Sequence, residues 1–415
     1  MSQLPFEETS HEPRLKRTLT LPYVVLYGLG VTVGAGIYVL VGEVITRSGQ
    51  HAPMAFLIAG LVMLLPAACF AELTGRMPFA AAEAHFVGKG FNSSRLFLVV
   101  GLAVAAVGLI SSAAIAHGAV GYLGQLIDLP VWLLLVGVIV VTGIVSGFEI
   151  RNSIALAGLL TVIEVGGLLA IVIGAMMGGH DIAEQAIKAV PNSLSPVLWS
   201  GIAASSLLAF FAFIGFEDID SIAEETVNPQ KNLSRGIFIT LFLSVVIYIA
   251  VILAALSAVP VSEITGHAAP LPVVFAATTP MSALIITLIA IVATVNGIIV
   301  QLIMASRVLY GLANRGSLPS VLARVNSFTQ TPLVATFLSV VFVLALALAF
   351  PITLLAEWTS AITLAVFILV CAALIRIKKR ATTPPPQGTF IVPEWVPYGG
   401  ILACAGLLVA GLAAG

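Results

Sequence analysis

Apolar residues run along this chain in long blocks that glycine, proline and charged residues separate. Eleven of these blocks are long enough, or nearly so, to cross the roughly 30 Å hydrocarbon core of a bilayer as helices. The pattern therefore predicts an all-α polytopic membrane protein with about 11 transmembrane helices. The predicted spans are residues 21–45, 53–74, 94–127, 131–148, 152–177, 197–225, 233–259, 276–313, 333–350, 352–377 and 396–414.

Two of the predicted spans contain an interruption near their middle. Gly34-Ala35-Gly36 lies in the first span, and Ile214-Gly215 lies in the sixth. Unwound backbone at membrane depth is tolerated only where protein buries it or where it lines a cavity. A pair of interrupted helices at corresponding positions of two halves indicates the substrate site of a secondary transporter. The pattern therefore predicts that both helices are discontinuous and face one pocket.

The first interruption suits an anionic group. The glycines Gly34 and Gly36 permit an unwound backbone, and the N–H groups of Ala35, Gly36 and Ile37 then begin a new half-helix. The start of a helix attracts anions such as a carboxylate. Close helix packing through small residues is the alternative interpretation of Gly-Ala-Gly alone. Because a second interruption lies at a corresponding position, we favour a binding site over close packing at the first interruption.

The second interruption suits a cationic group. Carbonyl groups freed near Phe211, Ala212, Phe213 and Ile214 are ligands for an ammonium group. Phe211 is a candidate gate over a bound ligand, although aromatic residues in apolar helices more often serve packing. Glu217 follows so closely that we expect a role beyond that of an acidic residue at a helix start.

Three further polar residues stand inside apolar spans. Glu164 lies in the centre of the fifth span, where an ionised side chain costs about 2.5–3.5 kcal/mol. We predict that Glu164 carries a proton or pairs with a cation outside the chain, with a neutral structural carboxyl as the alternative. Thr294 and Asn296 in the eighth span are candidates for coupling and for substrate binding respectively. Bonding between helices is an equally good interpretation of both.

Basic residues set the expected orientation. All but two (Arg47 and Lys188) of the 18 lysines and arginines fall on one side of the predicted spans. Because cytoplasmic loops are rich in lysine and arginine, the N-terminus is expected in the cytoplasm. An odd number of spans then places the C-terminus outside. We expect a multi-pass protein of the plasma membrane.

Composition excludes several classes of function. Sixty per cent of residues are hydrophobic, 9% are charged and the mean hydropathy is +1.12, unlike soluble domains. A net charge of −1 without basic clusters gives no indication of nucleic acid. The three cysteines lie in apolar spans and do not indicate disulfides. No metal-ligand spacing, nucleophile motif or phosphate loop is found, so we expect no cofactor, no metal and no enzymatic activity. The first 17 residues lack an apolar core and a cleavage site, so we expect no removable signal peptide.

Several separated motifs resemble one family. They include the segment from Gly28 through Gly42, the segment Ala71–Pro78, the segment Phe210–Glu217 with Asn228–Lys231, and Ser306–Tyr310. In this order the motifs resemble the amino acid–polyamine–organocation superfamily, and most closely its cationic amino acid transporter branch. The resemblance covers nearly the full length of the chain.

The resemblance implies the five-plus-five inverted repeat of the leucine-transporter type, working by alternating access. The expected organisation is an N-terminal cytoplasmic tail (1–20), a first repeat (21–177), a second repeat (197–378) and an additional helix (395–415). An amino acid would place its carboxylate at Gly34, Ala35, Gly36 and Ile37 and its amino group at the second interruption. By this resemblance, Phe211 occupies the position of the family's aromatic gate. Glu217 occupies the position of an acidic residue that is tied to substrate or proton coupling.

Three departures from the family pattern matter. Many proton-coupled relatives carry a lysine at or near the position of Glu164, so the coupling ion is open. The stretch Phe79–His85 lacks the usual glycine and tyrosine. Relatives usually have twelve or more spans, whereas eleven are predicted here. It is therefore open whether this chain has the helices that often mediate dimer contacts.

The expected function is secondary transport of an amino acid, driven by a proton gradient or by exchange. Because Glu164 and Glu217 face the expected cavity, a cationic amino acid or polyamine is favoured over a neutral amino acid. A proton is favoured over sodium as the coupling ion. Neutral amino acid–proton symport is the close alternative, and a sensor that binds an amino acid without moving it is a more distant one.

Overall fold

The computed structural model describes residues 17–77, 82–148, 154–381 and 384–414. Most of the predicted N-terminal tail and the segment 78–81, which holds part of the Phe79–His85 departure, lie outside the described residues. Sixteen α-helices follow one another along the described chain. They are α1 (Leu21–Thr32), α2 (Ala35–Ser48), α3 (Ala52–Arg76), α4 (Ala82–Phe91), α5 (Ser94–Leu123), α6 (Val131–Ser146), α7 (Ile154–Met177), α8 (Ile182–Ala189), α9 (Pro196–Phe211), α10 (Pro229–Ala258), α11 (Val261–Ile264), α12 (Leu271–Thr278), α13 (Ala283–Asn314), α14 (Leu333–Ala349), α15 (Ile352–Arg380) and α16 (Trp395–Ala414).

These helices confirm an all-α, multi-pass membrane protein. Within the described ranges, eight helical stretches are long and apolar enough to cross a membrane, and α1, α6 and α14 are shorter apolar helices. Many large apolar side chains are exposed, such as Met177 at 84% and Leu402 at 73%. Exposure of this kind is typical of a surface that faces lipid, because lipid is as apolar as the side chains themselves.

The structure differs from the predicted spans in its loops. The predicted eighth span began at residue 276, but α13 begins at Ala283, because Pro280 and the capping residue Ser282 separate it from α12. The predicted outer loop between His180 and Pro196 contains the short amphipathic helix α8. Such short helices escape a search for long apolar stretches.

Two helix pairs form the most extensive contacts of the molecule. The first is α5 with α13, and the second is α3 with α10. The two broken helices lie beside these pairs. One is α1–α2, and the other is α9 with its 3-10 continuation (Phe216–Glu225). α1 contacts α10, α2 contacts α9, and α3 contacts both α9 and α10. The interrupted helices are therefore enclosed by other helices, as free backbone groups at membrane depth require.

The start of α1 is also joined to the end of the 3-10 helix that continues α9. Leu19, just before α1, forms an isolated parallel bridge with Thr226, just after the 3-10 helix. The N–H of Val227 donates to the carbonyl of Leu19 at 2.8 Å. The hydroxyls of Tyr27 and Ser221 lie 3.0 Å apart. These contacts fix α1 and the 3-10 helix to each other on the face of the protein where α1 begins.

Candidate functional site

The first helix breaks where the sequence predicts. α1 ends at Thr32, α2 begins at Ala35, and Gly34 adopts φ −60° and ψ −123° between them. Among the described residues, no side chain caps the start of α2. The first N–H groups of α2 therefore have no partner in their own helix or in a capping side chain, and they form the positive end of its dipole.

The second helix breaks between Phe211 and Phe216. α9 ends at Phe211, and Gly215 has φ +121°, a conformation that side chains other than hydrogen rarely permit. The N–H of Gly215 donates to Oε2 of Glu217 at 2.9 Å. One oxygen of the predicted substrate-binding carboxylate thus holds the break itself in shape.

The two breaks touch each other. A Cβ placed on Gly36 would lie 2.7 Å from the Cα of Ala212, and a Cβ placed on Gly215 would lie 2.8 Å from the carbonyl oxygen of Val31. Only glycine permits such close approach of the main chains. The start of α2 and the end of α9 therefore lie side by side.

Tyr248 of α10 joins the two breaks, and the sequence reasoning did not identify it. Its hydroxyl lies 2.7 Å from the carbonyl of Thr32, the last residue of α1, and 2.7 Å from the carbonyl of Ala212. The side chain is fully buried. Because one hydroxyl has a single proton to donate, the two carbonyls share it.

Glu164 lies beside the first break. A Cβ placed on Gly34 would lie 3.6 Å from its Oε2, and the side chain is 2% exposed. Its Oε1 has no hydrogen-bond partner among the described residues. The hydroxyl of Tyr38, in the first turns of α2, donates to the main-chain carbonyl of Glu164 at 2.6 Å. The main chain of Glu164 is therefore tied to α2, and its carboxyl lies beside Gly34 with one oxygen that has no partner among the described residues.

The aromatic candidates occupy different positions. Phe211 is the last residue of α9 and is 5% exposed. Phe213 is fully buried and packs against Phe56 and Tyr248, with ring centroids 6.3 and 5.0 Å away. The side chain of Phe213 thus supports the break from the α3 and α10 side.

The polar candidates of α13 also differ. The hydroxyl of Thr294 donates within its own helix, 2.7 Å from the carbonyl of Ala290. Asn296 precedes Gly297, on which a Cβ would lie 2.9 Å from the Cβ of Ala35. α13 therefore approaches the start of α2 directly at Asn296–Gly297, while the Thr294 hydroxyl is engaged by its own helix.

A small cavity of about 20 Å³ lies at the second break, between α4, α5, α13 and α15. Its volume fits about one water molecule. Burial raises the pKa of the Glu83 carboxyl, which lies on α4 outside the membrane spans. The buried amide oxygen of Gln301 has no partner among the described residues. The polar lining consists of Glu83, Glu217, Asp218, Gln301 and Thr363.

This arrangement is typical of membrane transport proteins with discontinuous helices, in which helix ends enclose a site near the bilayer midplane. The profile of the amino acid permease family matches residues 19–414. The chain therefore belongs to the amino acid permease family, whose members are permeases and not enzymes, and the resemblance to the amino acid–polyamine–organocation superfamily is confirmed.

Individual relatives carry several names. The chain is 31% identical over 389 residues to "Cationic amino acid transporter 2, vacuolar" of Arabidopsis thaliana, which covers 89% of this chain and 61% of the relative. It is 26% identical over 407 residues to the branched-chain amino acid permease BcaP of Bacillus subtilis, covering 91% and 84%. It is 27% identical over 421 residues to the methylthioribose transporter of Bacillus subtilis, covering 94% and 87%.

The chain is shorter than several of these relatives. It spans 61 to 65% of the length of three plant transporters that it matches.

Proposed function

We propose that this chain is a secondary transporter of amino acids that works by alternating access. The observation that carries the proposal is the contact between the two helix breaks. The N–H groups of Ala35, Gly36 and Ile37 would bind the substrate carboxylate, with Gly34 providing the bend. Carbonyls at Phe211 to Ile214 would bind the amino group. A zwitterion fits this pair of opposite helix ends because each end complements one of its charges.

An inverted repeat of residues 21–177 and 197–378 is part of the proposal. In such a repeat α3 corresponds to α10 and α5 corresponds to α13. The two most extensive helix contacts of the molecule are these same pairs. A pseudo-two-fold axis that passes between corresponding helices brings them together, which supports the assignment. The segment 395–415 would be an additional helix outside the repeats.

Coupling would depend on Glu164. A buried carboxyl with an oxygen that lacks a partner among the described residues suits a proton carrier beside the first break. Glu217 is the second candidate, since it lines the small cavity at the second break. Thr294 would contribute only after its hydroxyl leaves the carbonyl of Ala290. We favour a proton over sodium.

The substrate is proposed to be a cationic amino acid or polyamine, with a neutral amino acid as the alternative. The carboxyls around the small cavity favour a cationic side chain, because the described polar lining contains acids but no lysine or arginine. One relative is named for cationic amino acids, in line with the proposal, and another is named for branched-chain amino acids, in line with the alternative.

The proposed location is the plasma membrane, with the N-terminus in the cytoplasm and the C-terminus outside. The distribution of lysine and arginine supports this orientation. The names of plant relatives include vacuolar, mitochondrial and chloroplastic forms, so the target membrane varies among relatives.

Uptake into proteoliposomes tests the proposal. Vesicles that contain the purified protein receive a panel of labelled cationic and neutral amino acids and polyamines, with imposed pH or sodium gradients or with preloaded substrate. We expect accumulation of one substrate class under a pH gradient or by exchange. Binding without accumulation under every condition would favour a sensor and would overturn the proposal.

Glu164→Gln separates coupling from binding. We expect substrate exchange to persist while accumulation driven by a pH gradient is lost, since the amide cannot carry the proton. Asp220→Asn serves as the control, because Asp220 is also buried and its Oδ2 also lacks a partner among the described residues, but its Oδ1 accepts from the hydroxyl of Thr74 on α3 at 2.5 Å. Accumulation by Glu164→Gln at the wild-type rate would exclude Glu164 as the carrier.

A further inference from the structure

An apolar groove of about 570 Å³ lies between α7, α8 and α10, apart from the candidate site. None of the described side chains that line it is polar. They include Val172 and Met176 of α7, Ile182 of α8, and Val245, Ala250 and Leu253 of α10. Two of them, Met176 and Val246, are 67% and 47% exposed, so the groove is continuous with the apolar surface that faces lipid.

The depth of the groove matches one leaflet of the bilayer. Along α10 the lining runs from Val245 to Leu253, which corresponds to about 12 Å at 1.5 Å per residue. Half of a hydrocarbon core of roughly 30 Å is about 15 Å. α10 ends shortly afterwards at Ala258, and α7 ends at Met177, so the groove opens near the membrane surface at its α8 end.

The helix α8 covers that end like an interfacial helix. Ile182, Ala183 and Ala186 face the groove, while Glu184 and Lys188 form an ion pair of 2.6 Å with both side chains more than half exposed. An amphipathic helix of this kind lies at the boundary between headgroups and acyl chains. A ring nitrogen of buried His51 lies 3.0 Å from the carbonyl of Ala189 and anchors the end of α8.

We propose that this groove binds one acyl chain of a membrane phospholipid. Its walls offer no hydrogen-bonding side chain for a peptide or an amino acid, whereas an acyl chain needs none. The length of one leaflet, the continuity with the lipid-facing surface and the interfacial helix at the mouth all suit an acyl chain that enters from the headgroup level.

The bound chain would contact the helix that supports the second break. Val245 lines the groove, and a Cβ placed on Gly60 of α3 would lie 2.5 Å from its Cγ2 and 3.5 Å from the ring of Phe213. Tyr248 lies one turn further along the same helix. Filling the groove would therefore stabilise the turn of α10 that holds the two breaks together.

Photo-crosslinking tests the groove directly, without any transport measurement. The purified full chain is reconstituted in phosphatidylcholine vesicles doped with a phosphatidylcholine that carries a diazirine on one acyl chain. After irradiation, crosslinked peptides are identified by mass spectrometry. We expect labelling concentrated in residues 182–186 and 245–253, above that of other lipid-facing helices.

Ala250→Phe is designed to fill the groove, and Ala410→Phe is its control. Ala410 is an exposed alanine of α16 that does not line the groove, so the same enlargement meets bulk lipid there. We expect Ala250→Phe to lose most of the labelling in both segments and Ala410→Phe to keep it. Thermal unfolding in detergent checks that both variants are folded.

Three results would overturn the proposal. One is uniform labelling of lipid-facing helices in the wild type, which indicates bulk lipid only. Another is equal labelling of both segments in folded Ala250→Phe and in the wild type. The third is absence of labelling in a wild-type dimer that dissociates in Ala250→Phe. That result would assign the groove to a second copy of the chain instead of a lipid.

Discussion

Tyr248→Phe is the most informative substitution at the helix breaks. It removes one oxygen and keeps the ring, which packs against Phe56 and Phe213. The lost hydroxyl lies between the carbonyls of Thr32 and Ala212. The change therefore tests whether the link between the two breaks serves substrate binding.

The expected magnitude follows from those two carbonyls. A buried polar group without a partner costs about 1–3 kcal/mol. While the site is open, water can hydrate the free carbonyls, but closure around a substrate excludes that water. Most of the cost therefore falls on binding. A loss of 1–3 kcal/mol corresponds to a Kd that is about 5- to 150-fold weaker.

The assay is equilibrium binding of the labelled substrate that the uptake panel identifies, with purified protein in detergent. Tyr122→Phe is the matched control. Its hydroxyl is equally buried and donates at 2.7 Å to the carbonyl of Tyr38, which lies within α2 rather than at a break. We expect Tyr122→Phe to leave Kd close to the wild-type value.

Two outcomes would refute the reasoning. An unchanged Kd for folded Tyr248→Phe would show that the bridge between the breaks does not contribute to the site. An equal loss in Tyr122→Phe would show that any buried tyrosine hydroxyl in this bundle has the same effect. Thermal unfolding of both variants separates lost binding from lost folding.

Three further predictions concern packing, gating and stability. Gly36→Ala places a methyl group against Ala212, and we expect overpacking of about 1–3 kcal/mol to weaken binding by about 5- to 150-fold while the protein still folds. Wild-type affinity would contradict the contact between the breaks. Phe211→Ala should slow uptake more than it weakens binding, and a wild-type uptake rate would exclude a gate. Glu72→Gln should lower the free energy of unfolding by about 3 kcal/mol, because the buried carboxylate of Glu72 accepts from Lys378 at 3.0 Å. Unchanged thermal unfolding would show that the ion pair adds no stability.

Much of the fold could be predicted from the sequence because membrane insertion depends on local composition. Long apolar stretches mark the spans wherever they occur, and their order alone placed most helices of the structure within a few residues. The breaks were predictable for the same reason. Glycine at Gly34 and Gly215 inside apolar helices is a local signal of an interrupted backbone, and the structure ends α1 and α9 just before these positions.

The partners of the breaks could not be predicted. Tyr248 meets Thr32 across 216 residues of sequence, and nothing around this tyrosine distinguishes it from a lipid-facing aromatic residue. Likewise, the sequence left Thr294 open between coupling and bonding between helices, and only the structure shows that its hydroxyl bonds the carbonyl of Ala290. A polar residue in an apolar helix is visible in the sequence, whereas its hydrogen-bond partner depends on how the helix rotates against its neighbours.

The sequence by itself thus determined the class of protein, the number of spans to a close approximation and the two places where helices unwind. Only the tertiary structure decided that Gly36 faces Ala212, that Tyr248 joins both breaks and that α8 covers an apolar groove. The physical reason is that hydrophobicity and glycine act along the chain, while close approach and hydrogen bonding between helices depend on side chains far apart in sequence.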